Sequence, residues 1–90
     1  MIFFDPIWAI FLLLVFSATI NSYHRYRYRA SELLRTGKYA EGIKAYSRIL
    51  RLNWKDTDAY IRRGWGYSKL DDIDAAIKDF TQAIQYEPRV

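Results

Sequence analysis

Apolar residues recur at helical spacing along most of the chain, and this pattern predicts a protein built of α-helices alone. The first apolar run, from Pro6 to Ile20, contains no charged residue. Two later stretches, residues 39–50 and 73–84, place apolar side chains at steps of three and four residues, the spacing of one helix face. After the first run we therefore predict four helices, over Tyr23–Arg35, Tyr39–Leu52, Thr57–Leu70 and Ile73–Tyr86.

The last two predicted helices carry small and large residues in a fixed order. Gly64 and Ala76 are small, as two antiparallel helices require where they approach closely. Large aromatic side chains flank them, and we expect Phe80 to be buried between the two helices. Pro88 is expected to end the last helix, because proline lacks an amide donor and its ring clashes with the preceding turn. The full set of spaced residues is Tyr60, Arg63, Gly64, Tyr67, Ala76, Phe80 and Pro88.

This spacing resembles that of the tetratricopeptide repeat (TPR) family, with Tyr60 in the place of the family's Trp and Arg63 in the place of its Leu. A weaker copy lies 34 residues earlier, with Trp54 in the place of Pro88. We expect Trp54 to cap the first helix pair by packing. The resemblance implies two helical hairpins, a degenerate repeat over residues 23–56 and a second repeat over residues 57–90.

The N-terminal run allows three interpretations: a cleaved signal peptide, a buried core helix and a permanent single-span anchor. A signal peptide begins with a basic segment. Here the run is preceded by Asp5 and no Lys or Arg, and a dense basic block follows it. We therefore favour a single transmembrane helix over residues 1–22, with Asp5 as its N-cap. Aromatic and basic residues near its ends are predicted to lie at the membrane interface, namely Trp8, Tyr23, Arg25, Tyr26, Arg27, Tyr28 and Arg29.

Charge is distributed unevenly and predicts the orientation. The net charge is +4, yet residues 21–55 hold nine Lys and Arg against two acidic residues, and residues 56–90 hold five against seven. Positive flanks stay on the cytoplasmic side of a membrane. The repeats should therefore face the cytoplasm, or a stroma or matrix, with the N-terminus on the other side. A bacterial inner membrane or a thylakoid is favoured, and an organelle membrane is the alternative. The arginines either contact anionic lipid heads or only set this topology.

The remaining chemistry points away from catalysis, cofactors and nucleic acid. The chain has no Cys and one His, and it shows no nucleophile–base set or phosphate loop. The alternating basic and aromatic segment from His24 to Arg29 suits single-stranded nucleic acid, but its place beside a membrane span favours the interface. The acids at residues 71–74 lack the spacing of a calcium loop. They are typical of a helix start, with Asp72 as the expected N-cap.

By resemblance to the family, the first helix of each hairpin lines a concave groove. The expected groove residues are Arg27, Ser31, Leu34, Arg35, Asp58, Ile61, Trp65, Ser68 and Lys69. Trp65 either anchors a partner or packs within its own repeat. Some TPR domains hold a peptide's terminal carboxylate, but the matching positions here carry Arg27, Ser31 and Arg62.

Two repeats bury little apolar surface, and the outer face of the last helix, around Phe80 and Ile84, is expected to be incompletely covered. A protein partner that covers this apolar face would explain why it is left open. The first hypothesis is thus a membrane-anchored, non-catalytic scaffold, acting as accessory subunit or assembly factor of a membrane complex. The alternative is a targeting or import receptor on an organelle membrane, and a third is a secreted repeat protein that has lost its leader.

Overall fold

The computed structural model describes residues 6–87, and these residues form four α-helices: α1 (Pro6–Arg35), α2 (Tyr39–Leu52), α3 (Thr57–Lys69) and α4 (Ile73–Tyr86). The predicted bounds of α2 and α4 are confirmed, and α3 ends one residue earlier than predicted. The apolar run continues directly into the first hairpin helix, as expected from the lack of Pro or Gly between Ile20 and Tyr23, and together they form the 30-residue helix α1. The expected roles of Asp5 and Pro88 fall outside the described residues.

Aspartates begin the helices of the second hairpin. Asp56 is the N-cap of α3 and its side chain accepts a hydrogen bond from the Ala59 amide at 3.0 Å. Asp72 is the N-cap of α4 and accepts from the Ala75 amide at 3.3 Å. The second of these confirms the sequence prediction. Each cap satisfies a backbone donor that the first turn of a helix leaves unpaired.

The core lies between α1, α2 and α3. Tyr46 and Ile49 of α2 are its largest fully buried side chains. Small residues surround them and let the helices approach closely. Burial raises the pKa of the Tyr46 hydroxyl above its usual value. The buried cluster consists of Ala30, Leu34, Ala45, Tyr46, Ile49, Leu50 and Ala59.

Close approach of α3 and α4 explains Gly64. A Cβ atom at this position would lie 2.9 Å from Cε1 of Phe80 and 3.2 Å from Cβ of Asp79. Ala76 on the facing helix is buried. The sequence interpretation of these two small residues is thus confirmed.

Phe80 on α4 departs from its predicted burial, although the outer face of this helix is incompletely covered, as predicted. In the first repeat Tyr46 is 1% exposed, whereas Phe80, 34 residues later, is 36% exposed. The expectation that Phe80 is buried was wrong, because its ring covers Gly64 on one side only and no other described helix lies over it. Ile77 and Ile84 on the same face are more than half exposed, as expected for an uncovered end of the array.

Trp54 also differs from its predicted role. Its ring stands edge-on to Tyr86 of α4, with the ring centres 5.6 Å apart, so it contacts the second hairpin. The ring remains largely exposed at the turn between the two repeats.

Candidate functional site

The concave side of the two hairpins carries a hollow of about 440 Å³ between α1 and α3. The first helices of the two hairpins, α1 and α3, face the same side because α2 packs behind both of them. The hollow lies between these two helices. Six of the nine predicted groove residues line it. The lining consists of Ser31, Leu34, Arg35, Asp58, Ile61, Arg62 and Trp65.

The other three predicted groove residues lie at the ends of the hollow. Arg27 forms an ion pair with Asp58 at 2.6 Å and a shorter one with Asp56. At the opposite end, Ser68 donates a hydrogen bond to the Trp65 carbonyl at 2.6 Å. The ammonium group of Lys69 lies 5.1 Å from the centre of the Trp65 ring. None of the three appears among the residues that line the hollow.

Arg62 also lines the hollow; the family resemblance had placed it at a carboxylate-binding position, although the expected groove residues did not include it. It follows Asp58 by four residues on α3, so both side chains share one helix face, and their atoms approach to 3.0 Å.

The charged side chains that line the groove are already paired within the chain. Asp58 accepts hydrogen bonds from both Arg27 and Arg62, and Arg35 holds Glu32 through two bonds of 2.6 and 2.9 Å. The two arginines at the carboxylate-binding positions of the family therefore face carboxylates of their own chain. A bound carboxylate would have to displace these pairs.

The apolar part of the groove is open to solvent. Trp65 is 41% exposed and stands edge-on to Tyr39, with ring centres 5.8 Å apart. Ile61 lies one turn earlier on the same face and is also exposed, while Leu34 is buried at the base. Trp65 thus packs on Tyr39 of the other repeat and also lines the hollow.

A buried ion pair behind the groove holds the second hairpin together. Arg63 donates to both carboxylate oxygens of Asp79, at 2.7 and 2.8 Å, and to the Ser47 hydroxyl at 3.1 Å. Asp79 is buried, and its hydrogen bonds with Arg63 raise the pKa of the guanidinium above its usual value. The sequence analysis did not anticipate this pair, because the residues are 16 positions apart on different helices.

The predicted interface residues divide into two groups. Trp8, Arg25, Tyr28 and Arg29 are exposed, whereas Tyr23, Tyr26 and Arg27 pack against the first hairpin or its turns. The helix that carries them, α1, is long and apolar enough to cross a membrane, and none of its most apolar stretch is covered by the rest of the described chain.

The array of paired antiparallel helices defines a helical-repeat protein. Family models of the tetratricopeptide repeat match residues 24–66 and residues 57–90. Together the two matches cover both hairpins. The chain therefore belongs to the tetratricopeptide repeat family.

Curated relatives share part of this region. Hsp70-Hsp90 organizing protein from Triticum aestivum and Hsp70-Hsp90 organizing protein 1 from Glycine max are each 34% identical to the chain over 62 residues. Hsp70-Hsp90 organizing protein 3 from Arabidopsis thaliana is 31% identical over 62 residues. Each alignment covers 69% of this chain and 11% of the relative, so the chain spans only a small part of these proteins. TPR repeats imply protein–protein interaction.

Proposed function

We propose that the protein is a non-catalytic, membrane-anchored TPR scaffold, an accessory subunit or assembly factor of a membrane protein complex. The observation that carries this proposal is the continuity of α1, which runs without a break from Pro6 to Arg35. One end is uncovered and apolar, and the other end forms the wall of the groove. A single rigid helix therefore links the anchor to the surface that holds the partner.

The basic residues after the apolar run support an orientation. Arg25 and Arg29 are exposed on α1, within three turns of Ile20. Lys and Arg at this position favour the cytoplasmic side, or its stromal or matrix equivalent, for the repeats. The exposed guanidinium groups would also contact anionic lipid heads.

The groove supports a protein partner with one apolar anchor. Trp65 and Ile61 offer a half-open apolar surface, and the paired charges of Asp58, Arg62 and Arg35 form a polar rim. Interfaces commonly place such an aromatic centre within a polar border. An apolar side chain of a partner segment would fill the hollow, while the backbone of that segment would contact the polar rim.

The names of the relatives describe the organisation of Hsp70 and Hsp90. From this likeness we carry over only the holding of a protein partner. The two arginines that correspond to the family's carboxylate-binding positions are engaged with Asp56 and Asp58 here. We therefore propose recognition through the apolar part of the groove.

The anchor is tested by intact mass and by protease access to the C-terminus in sealed vesicles. The proposal predicts an uncleaved chain whose repeats are digested only from the cytoplasm-like side. A chain shortened near Thr19, or repeats that remain protected from that side, would refute the anchor.

The scaffold is tested by purification of the full chain in mild detergent, followed by mass spectrometry. A partner in fixed ratio to the chain is expected for a subunit or assembly factor. A partner that exchanges within the purification would favour the targeting receptor, and a chain that purifies alone would contradict both.

A further inference from the structure

The turn between the two repeats carries an exposed surface of apolar and basic side chains, which we call the loop surface: Arg51, Leu52, Trp54 and Lys55. Leu52 is 77% exposed and Trp54 is 57% exposed. Neither side chain belongs to the buried core or lines the groove. Packing of the fold therefore does not explain why two apolar side chains are exposed at this turn.

The loop surface lies at the end of the molecule from which the anchor leaves. Asp56, directly after it, accepts a hydrogen bond from the Tyr23 hydroxyl at 3.4 Å and is also paired with Arg27. Tyr23 follows Ile20, the last residue of the apolar run, by three residues, which is about 4.5 Å along the helix axis. The polar headgroup region on each side of a bilayer is roughly 5–8 Å thick. The turn is therefore level with the headgroups if the hydrocarbon ends near Ile20.

The tryptophan is held in place by its surroundings. The Tyr60 hydroxyl donates to the Trp54 carbonyl at 2.9 Å, and the ring leans edge-on against Tyr86. The ammonium group of Lys55 lies 4.8 Å from the ring centre. These contacts fix the direction of the ring without covering it.

We propose that the loop surface rests in the headgroup layer of a bilayer that contains anionic lipid, as a second membrane contact beside the anchor. Trp prefers the interface, Leu enters the acyl boundary, and Arg and Lys attract anionic heads. The inference rests on the proposed anchor. Two contacts, one through α1 and one through the turn, fix the angle of the hairpins and hence the direction in which the groove opens.

The three tryptophans of the chain provide the test, because each lies in a different region. Full-length variants that keep only Trp8, only Trp54 or only Trp65, with Phe at the other two positions, are placed in nanodiscs of anionic lipid. The lipids carry bromine both near the headgroup end and near the middle of their acyl chains, so that an indole at either depth is quenched. We expect loss of most emission from the Trp8 and Trp54 chains and no loss from the Trp65 chain, since Trp65 lies beside Tyr39 at the far end of α2.

The outcomes separate this inference from the anchor. Quenching of Trp8 but not of Trp54 would overturn the second contact and leave the anchor standing. Absence of quenching at both positions would overturn the two together. Equal quenching of Trp54 and Trp65 would also overturn the inference, because it would show no preferred face.

A second measurement does not depend on the Phe substitutions. The chain has no Cys, so Leu52→Cys and Ser68→Cys each accept one environment-sensitive fluorophore. The label at position 52 should shift to the blue when the chain enters anionic nanodiscs, and Lys55→Glu should reduce that shift. A label at position 68 serves as the control. No shift at position 52, or a shift of equal size at both positions, would contradict the proposal.

Discussion

Gly37 and Asp71 occupy the same place in the turn of each hairpin, and both have a positive φ, 86° and 64°. The hydrogen bonds around them match as well. The amides of Gly37 and Lys38 donate to Leu34 and Leu33, and those of Asp71 and Asp72 donate to Ser68 and Tyr67. Each first helix of a hairpin therefore ends in a Schellman motif, whose left-handed position favours glycine.

Asp71→Gly should stabilise the protein, because it removes the cost of a side chain in the left-handed region. Part of this gain is lost to the greater freedom of glycine in the unfolded chain, so we expect a net gain of about 0.5 kcal/mol. Thermal unfolding of the full chain in detergent, followed by circular dichroism, measures it. Gly37→Ala makes the opposite change at the equivalent position of the first hairpin and should destabilise the protein. A lower melting temperature for Asp71→Gly would contradict this account of the turn.

Tyr46 and Phe80 allow a second comparison at equivalent positions. Tyr46→Ala should cost about 3–5 kcal/mol, the range for truncation of a buried aromatic residue. Phe80→Ala should cost about half of that, because 36% of its surface already faces solvent. Denaturant unfolding of the two variants gives both values. Equal costs would mean that the outer face of α4 is covered in the isolated chain.

At the scale of the helices, the Arg63–Asp79 pair joins α3 to α4 and reaches Ser47 on α2. The corresponding positions of the first repeat, Arg29 and Ala45, hold no such pair. The tie is therefore particular to the second hairpin, which has no further described helix on its outer side.

Removing Arg63 leaves the buried charge of Asp79 without its partner, and removing Asp79 leaves the partly buried Arg63 guanidinium unpaired. Arg63→Ala and Asp79→Ala should each cost roughly 3–5 kcal/mol. The double change Arg63→Met with Asp79→Leu should recover most of that loss, because apolar side chains can replace a buried ion pair. Arg29→Ala is the control and should change stability by less than about 0.5 kcal/mol. A double variant no more stable than the two single variants would contradict this account of the pair.

The sequence predicted the helices well, because their bounds depend on local signals. The 3.6-residue pattern located α2 and α4, and Asp72 marked where α4 starts. The partner of Arg63 depends on which helices lie beside it, and no local pattern contains that information. The same applies to the groove: the family resemblance placed Ile61 and Trp65 in it, but the pairing of Arg27 and Arg62 with Asp58 required the packed hairpins.

At the scale of the whole molecule, α1 determines the arrangement. It contributes Ala30 and Leu34 to the core, Ser31 and Arg35 to the groove, and an uncovered apolar segment beyond the hairpins. The molecule is 63 Å long and 20 Å across at its narrowest. Because α1 is one continuous, stiff helix, the proposed anchor and the groove would move as one body.

In the assembled protein, binding of the partner should depend on the groove. The central claim is that the anchored chain holds its partner through the apolar part of the groove. Trp65→Ala removes the largest exposed side chain there and should cost about 2 kcal/mol or more of binding free energy. The anchor does not involve this residue, so membrane insertion should be unchanged.

The most direct measurement is co-purification of the partner with the wild-type chain, Trp65→Ala and Trp54→Ala, at matched expression and from the same membranes. Trp54→Ala also removes an exposed tryptophan, but one outside the groove. We expect the partner with the wild type and with Trp54→Ala, and its loss from Trp65→Ala while that variant stays in the membrane fraction. Full retention of the partner by membrane-bound Trp65→Ala would contradict the account.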